Sequence, residues 1–196
     1  MPRPQNPDVR ARLLRSGREL IHHEGFNACG VQDITSAANV PKGSFYSYFE
    51  SKEAFAAEVV QDYWTSILGR HGPLLQDLAQ LPVARVRNFF DALIGDHVSW
   101  DFSRGCLIGN LVLELAGTSE SARFEMYRVL REWEAMLAEC LHEAIEAGQI
   151  SRDGSASDLA ATLIEAWEGA VLRSKVERSG KACERFRDLV LPAMLA

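Results

Sequence analysis

The chain has 196 residues, 47% of them apolar and 24% charged, with a formal net charge of −6. That balance specifies a globular protein with a real core, excludes a disordered chain, and leaves no apolar run near the roughly 20 residues that a bilayer-spanning helix needs. Four widely spaced cysteines form no CxxC pair and no apolar leader follows the N-terminal charges, so the reading is a reduced, cytoplasmic protein without a disulfide scaffold, zinc site or other cofactor.

The hydrophobic spacing predicts helix nearly throughout, with no period-2 run and no Asn-Gly or Asp-Gly hairpin signal. The first helix spans 8–24, where Val9, Leu13, Leu20 and Ile21 recur at helical spacing and Gly25 acts as a stop. Two short helices follow, 31–38 and 42–48, joined by a turn at Asn39 and Val40, with Pro41 suited to the entry of the second. Val31, Ile34, Ala38, Val40 and Phe45 form their buried side. Ser51 is placed to cap a helix from 52 to about 68, with Phe55, Val59 and Tyr63 on one face and Gly69, Gly72 and Pro73 ending it.

The rest reads as a helical body. A helix from 82 to about 100 carries Val86, Phe89, Phe90 and Leu93; Asp101-Phe102-Ser103-Arg104-Gly105 breaks it. Further helices span about 106–116 and 119–147, the second striped by Met126, Leu130, Trp133, Leu137, Leu141 and Ile145. Residues 153–157 form a polar connector. The helix at about 156–176 is apolar on two sides, Leu159-Leu163-Ala166-Ala170 and Ala160-Ile164-Trp167-Val171, and must bury both. A last helix spans about 181–195.

Two short helices joined by a tight turn and braced by flanking helices make a helix-turn-helix. The exposed face of the second carries Lys42, Ser44, Tyr46, Ser47 and Tyr48, able to reach phosphates and base edges, while Phe45 and Phe49 fall on the core side. Charge is distributed accordingly. Residues 1–18 carry Arg3, Arg10, Arg12, Arg15 and Arg18 against Asp8 alone, and the acidic excess lies beyond residue 55.

The segment from Gly25-Phe26 through Ile34 and Ala38-Asn39-Val40 to Lys42-Gly43-Ser44-Phe45-Tyr46-Ser47-Tyr48-Phe49, then Ser51-Lys52-Glu53, resembles the N-terminal domain of TetR-family transcriptional regulators. The resemblance implies an all-α dimer: a three-helix DNA-binding domain (1–55, with a basic N-terminal arm) and a C-terminal helical bundle (56–196) for effector binding and dimerisation. It implies that Lys42, Ser44 and Tyr46 face the major groove, and that Tyr48, Lys52 and Thr35 hold phosphates. Gly30 stands where the family often has a capping Thr, at a cost of only a few tenths of a kcal/mol.

In the body, Arg104-Gly105-Cys106-Leu107-Ile108-Gly109-Asn110-Leu111 places a thiol at a helix N-terminus beside an arginine, an arrangement that favours thiolate and reaction with electrophiles and oxidants. The block is similar to a Gly-Cys-Leu block in a TetR subgroup that responds to reactive electrophiles, oxidants or small unsaturated acids. Family topology would bring Lys175 near the thiol. A small apolar residue packed in the core is the other reading of Cys106; Cys29 and Cys183 have weaker cases and Cys140 reads as core. Trp100, Trp133, Trp167, Phe89, Phe90, Phe102 and Tyr127 are candidate lining aromatics, and Arg104, Asn110, Glu114 and Arg173 candidate polar anchors for an effector. His97 reads as a helix-surface histidine, and His22-His23 point about 100° apart on a helix, which argues against a joint metal site.

The chain therefore reads as a homodimeric DNA-binding repressor, released from a palindromic double-stranded operator by a small-molecule effector or by a reactive electrophile at Cys106. Its dimer interface is expected from about 156–176 and 181–195 of both chains. Two other readings stay open: a thiol enzyme centred on Cys106, without a nearby partnered histidine, and a helical interaction module that does not bind DNA.

Overall fold

Asn6 opens the first helix, α1 (Pro7–Glu24): its side chain accepts from the Asp8 amide at 2.9 Å, and Pro7 occupies the first turn, where its missing donor is harmless. The structure, a computed structural model, describes residues 6–151 and 154–196. Arg3 of the basic arm and Asp153 of the connector lie outside the described residues. Among these the protein is helical, with α2 (Val31–Ala37), a 3-10 turn at Lys42–Ser47, α3 (Lys52–Leu75), α4 (Pro82–Ser99), α5 (Leu107–Leu115), α6 (Glu120–Glu146), α7 (Ala156–Glu177), α8 (Lys181–Arg185), a π turn at Phe186–Val190 and α9 (Leu191–Met194). The backbone forms two units. One joins the chain up to Thr65 with Leu107–Val129, and the other joins Ser66–Cys106 with Leu130–Ala196. The N-terminal unit thus takes in α5, which a boundary at residue 55 leaves with the body.

In the N-terminal unit, α1 buries Leu13, Gly17 and Ile21, one residue per turn on one face. Gly17 is required there: a Cβ would lie 2.3 Å from Phe55 Cζ. That close approach seats Phe55 against Phe45 and Phe49, with ring centroids 5.3 and 4.7 Å away and all three rings buried. The Gly30 backbone N–H donates to Asp33 Oδ2 at 2.8 Å, the half of a capping box that needs no side chain at the cap position. Asn39 takes the left-handed turn (φ 52°), a conformation asparagine tolerates better than most residues.

In the other unit, Phe90, Trp167 and Phe186 pack with centroids 4.9–5.7 Å apart, joining α4, α7 and the π turn. Arg85 is buried; it donates to the Leu75 carbonyl at 2.9 Å and pairs with Glu143.

Two elements differ from their sequence reading. Gly69, Gly72 and Pro73 do not end α3, which continues to Leu75. Proline there removes one backbone bond in the last turn, while buried Leu75 and the Asp96 carboxylate, which takes Arg70 at 2.7 Å and His71 at 2.9 Å, hold that turn in place. The last helix is interrupted by the π turn, whose Leu191 N–H bonds to the Phe186 carbonyl. Pro192 follows immediately; it has no N–H to give and its ring crowds the carbonyl four residues back, so a widened turn relieves it.

Gly17→Ala will force the Phe55 ring out of its seat. Overpacking of this kind costs about 1–3 kcal/mol, readable as a lower urea midpoint with an unchanged slope; an unaltered midpoint would show that the α1–α3 approach does not depend on glycine.

Candidate nucleic-acid interface and thiol segment

The Phe45–Phe49–Phe55 cluster decides what the 42–47 turn displays. With Phe45 fully buried, its neighbour Tyr46 is turned outward and is 62% exposed. Lys42, Gly43 and Ser47 are exposed as well, and Ser44 is half-buried. Tyr48 is half-buried, and its hydroxyl accepts from the Asn6 amide at 3.1 Å, tying the start of α1 to the end of the turn. Arg10 pairs with Glu58 and stands over the Phe49 ring, and Arg18 pairs with Asp62 at 2.8 Å. Arg12 and Arg15 are exposed on α1.

Two residues read as phosphate contacts are placed otherwise. Thr35 is 1% exposed, and its hydroxyl bonds back to the Val31 and Gln32 carbonyls at 3.0 Å, so it offers no donor to a surface ligand. Lys52 folds onto Phe26: its ammonium donates to the Phe26 carbonyl and lies 3.9 Å from the centre of the ring. Ser51 caps α3 as its sequence implies, accepting from the Ala54 amide at 3.0 Å.

The same Phe26 is held from a third element. Glu114 on α5 accepts from the backbone N–H groups of Phe26 (2.9 Å) and Asn27 (2.7 Å). Gly25, with φ 96°, makes room for it; a Cβ there would come within 3.1 Å of the carboxylate. Glu114 is therefore a clamp on the end of α1, not an effector anchor. A glutamate on an apolar helix gave no sign that its partner would be backbone 87 residues away.

The thiol segment is tightly wound. Asp101, Phe102 and Gly105 all have positive φ (48°, 53° and 74°), and the Phe102 amide returns to the His97 carbonyl at 2.9 Å. This brings Cys106 to the start of α5, 8% exposed. The Arg104 guanidinium stands 5.5 Å over the Trp100 ring. Facing Cys106 from α7 is Glu168, whose carboxyl is hydrogen-bonded by the thiol and pushed up to about 7 by burial. Its Oε1 is buried without a hydrogen-bond partner. Sequence reasoning missed Glu168, although the signal was present: it lies on the Ile164–Val171 stripe, a carboxylate in an apolar row. Lys175, read as the partner of the thiol, is half-buried on the same face two turns further along.

Other candidates separate. Trp133 and Trp167 are buried, as are Phe89 and Phe90, while Trp100, Phe102 and Asn110 are half-buried and Tyr127 is exposed. Arg173 is exposed and paired with Glu177 at 2.6 Å. His97 is not a surface histidine. It is buried against Trp100 and Trp167, and desolvation lowers its pKa to about 4, with Asp96 acting the other way. Cys29, Cys140 and Cys183 are buried, and burial pushes all three thiols up. A hollow lined by Ile145, Ile150, Leu159, Thr162 and Met194 includes none of the effector candidates. Among the described residues no helix is long and apolar enough to cross a membrane, and no cluster of three potential ligands could hold a metal.

Residues 13–59 match the family described as bacterial regulatory proteins, tetR family, and residues 82–190 match the tetracyclin repressor-like C-terminal domain. The chain is 40% identical over 187 residues to the HTH-type transcriptional repressor DhaR of Mycobacterium sp. GP1, covering 95% of this chain and 92% of the relative. Among solved structures, a regulatory protein TetR from Rhodobacter sphaeroides superposes with a TM-score of 0.88 at 31% identity, covering 96% of this chain and 99% of that one. The Escherichia coli NemR reduced form does so with a TM-score of 0.84 at 30% identity, covering 96% and 97%. Family profile matches over both halves and repressor relatives over nearly the full length agree with the helix-turn-helix geometry: the chain belongs to the TetR family and is a DNA-binding transcriptional regulator, not an enzyme.

Proposed function

We propose that the protein holds a palindromic operator as a homodimer, each 42–47 turn entering the major groove, and lets go when an effector acts at Cys106. The observation that carries the DNA contact is the outward Tyr46 beside the buried Phe45. Tyr46, Ser44 and Ser47 then read base edges, and Lys42 supplies charge to phosphate. Tyr48 and Lys52 act by holding the turn and the Phe26 corner. Thr35 is left out of the contact set.

The dimer reading rests on exposed apolar side chains at the end of α7 and in the π turn. Leu172, Val176 and Leu189 are each more than half exposed, and Leu172 and Val176 are one turn apart on one face. Symmetric burial of that face would give a two-fold dimer, the symmetry that a palindromic operator matches.

The effector reading rests on the Cys106 segment and on similarity to a relative whose structure is described as a reduced form. An effector can release DNA only by favouring the conformation that binds operator poorly. Glu114 supplies a route, since α5 begins one residue after Cys106 and its carboxylate grips the end of α1. The burial of Cys106 favours a second reading, in which the thiol merely packs and a ligand acts reversibly.

On an operator selected from random duplexes by the full-length protein, Tyr46→Ala will weaken binding by about 1–3 kcal/mol, and Lys42→Ala will reduce the salt slope by about one. Operator affinity unchanged by both, in a gel-shift titration, would remove the turn from the interface. The pair Leu172→Glu and Val176→Glu will yield monomers by sedimentation and abolish tight operator binding; a dimer that survives both places the interface elsewhere. Cys106→Ser will keep operator binding but resist release by N-ethylmaleimide or hypochlorite, and release equal to wild type would leave the reversible ligand as the mechanism.

A further inference from the structure

We propose that Glu168 is the proton acceptor for the Cys106 thiol and the residue that selects uncharged electrophiles over anionic ones. The proposal rests on the thiol-sensor reading above and adds a second residue and a ligand class to it. Its first support is geometric: Glu168 projects from an otherwise apolar stripe of α7 onto the thiol, and its carboxyl end is removed from water. One oxygen takes the thiol hydrogen bond, whereas Oε1 is buried with no hydrogen-bond partner. A buried acceptor left open is costly unless a ligand donor or a proton occupies it.

The charges around the carboxyl determine its two roles. From the connection before α5 it meets the Cys106 thiol; burial raises its pKa and the thiol hydrogen bond lowers it. On its own helix Glu165 is exposed and Lys175 stands two turns away. Burial keeps the carboxyl near half-ionised at neutral pH, the condition in which a base both accepts and returns a proton efficiently. In the reaction the thiol proton passes to Glu168 as the sulfur electron pair forms the S–C bond. At an alkyl halide the halide leaves with its bonding pair and the proton is released to solvent. At an alkene conjugated to a carbonyl, the π pair moves toward the carbonyl oxygen and Glu168 returns the proton to the α-carbon. An incoming anion must instead approach a buried carboxylate, so uncharged electrophiles are favoured.

The test uses the full-length protein with iodoacetamide and iodoacetate, reagents of one chemistry and different charge. The rate of modification at Cys106 is followed by site-resolved mass spectrometry from pH 5.5 to 8.5, with glutathione as the reference for intrinsic reactivity. Wild type will show a rise with an inflection near pH 7 and a preference for iodoacetamide beyond that of glutathione. Glu168→Gln will react about tenfold more slowly at pH 7.5, lose the inflection and approach the glutathione preference. Glu168→Asp, which keeps the carboxyl on a shorter stem, will retain the inflection, and it carries the test if the glutamine variant fails to fold. A rate, profile and preference equal to wild type in Glu168→Gln would overturn the role of Glu168 and leave the thiol sensor standing. A Cys106 that neither reagent modifies in the wild type would overturn the sensor itself, and this proposal with it.

Discussion

The packing of Phe45, Phe49 and Phe55 is the constraint on which the DNA-binding surface depends. A 3-10 turn of six residues has little stability of its own, so its orientation must come from what it buries. Phe45 lies in the turn, Phe49 follows it and Phe55 rises from α3, and Gly17 lets that last ring come close to α1. Once Phe45 points inward, helical geometry turns Tyr46 out. The same residue pattern that forms a core therefore specifies a display surface, and the polar contacts at Asn6–Tyr48 and Lys52–Phe26 refine its position.

At the thiol segment the order of effects is different. There the backbone is shaped by three positive-φ positions, Asp101, Phe102 and Gly105, and a carboxyl is held out of water beside the sulfur. Charge burial of this kind does not stabilise a fold; it is tolerated where chemistry or ligand recognition uses it. The Glu114 clamp is the counterpart in the N-terminal unit. It lets α5 hold the corner after α1 through backbone groups, so that grip does not depend on the side chains of the corner.

Much of this was legible from residue spacing. The alternation of Phe45, Tyr46 and Phe49 separates core from surface, and Ser51, three residues before Ala54, caps its helix by accepting from that amide. What spacing could not supply were pairings distant in the chain. Thr35 looked like a phosphate ligand until its hydroxyl turned back on its own helix, and His97 looked exposed because its neighbours Asp96, Val98 and Ser99 are compatible with a surface. Gly69, Gly72 and Pro73 are local breakers, offset by the contacts of Asp96 with Arg70 and His71 and by a buried Leu75. Glu168 is visible in the sequence only as a carboxylate within the periodic apolar stripe of α7.

The central claim is that the surface built on the buried aromatic triad meets the duplex. It is tested most directly by photo-crosslinking from a benzoylphenylalanine placed at position 46, with position 127, the exposed tyrosine on α6, as the comparison. Position 46 of the full-length protein will crosslink to operator DNA, and position 127 will not. Crosslinking from 127 alone, or equally from both, would contradict the account.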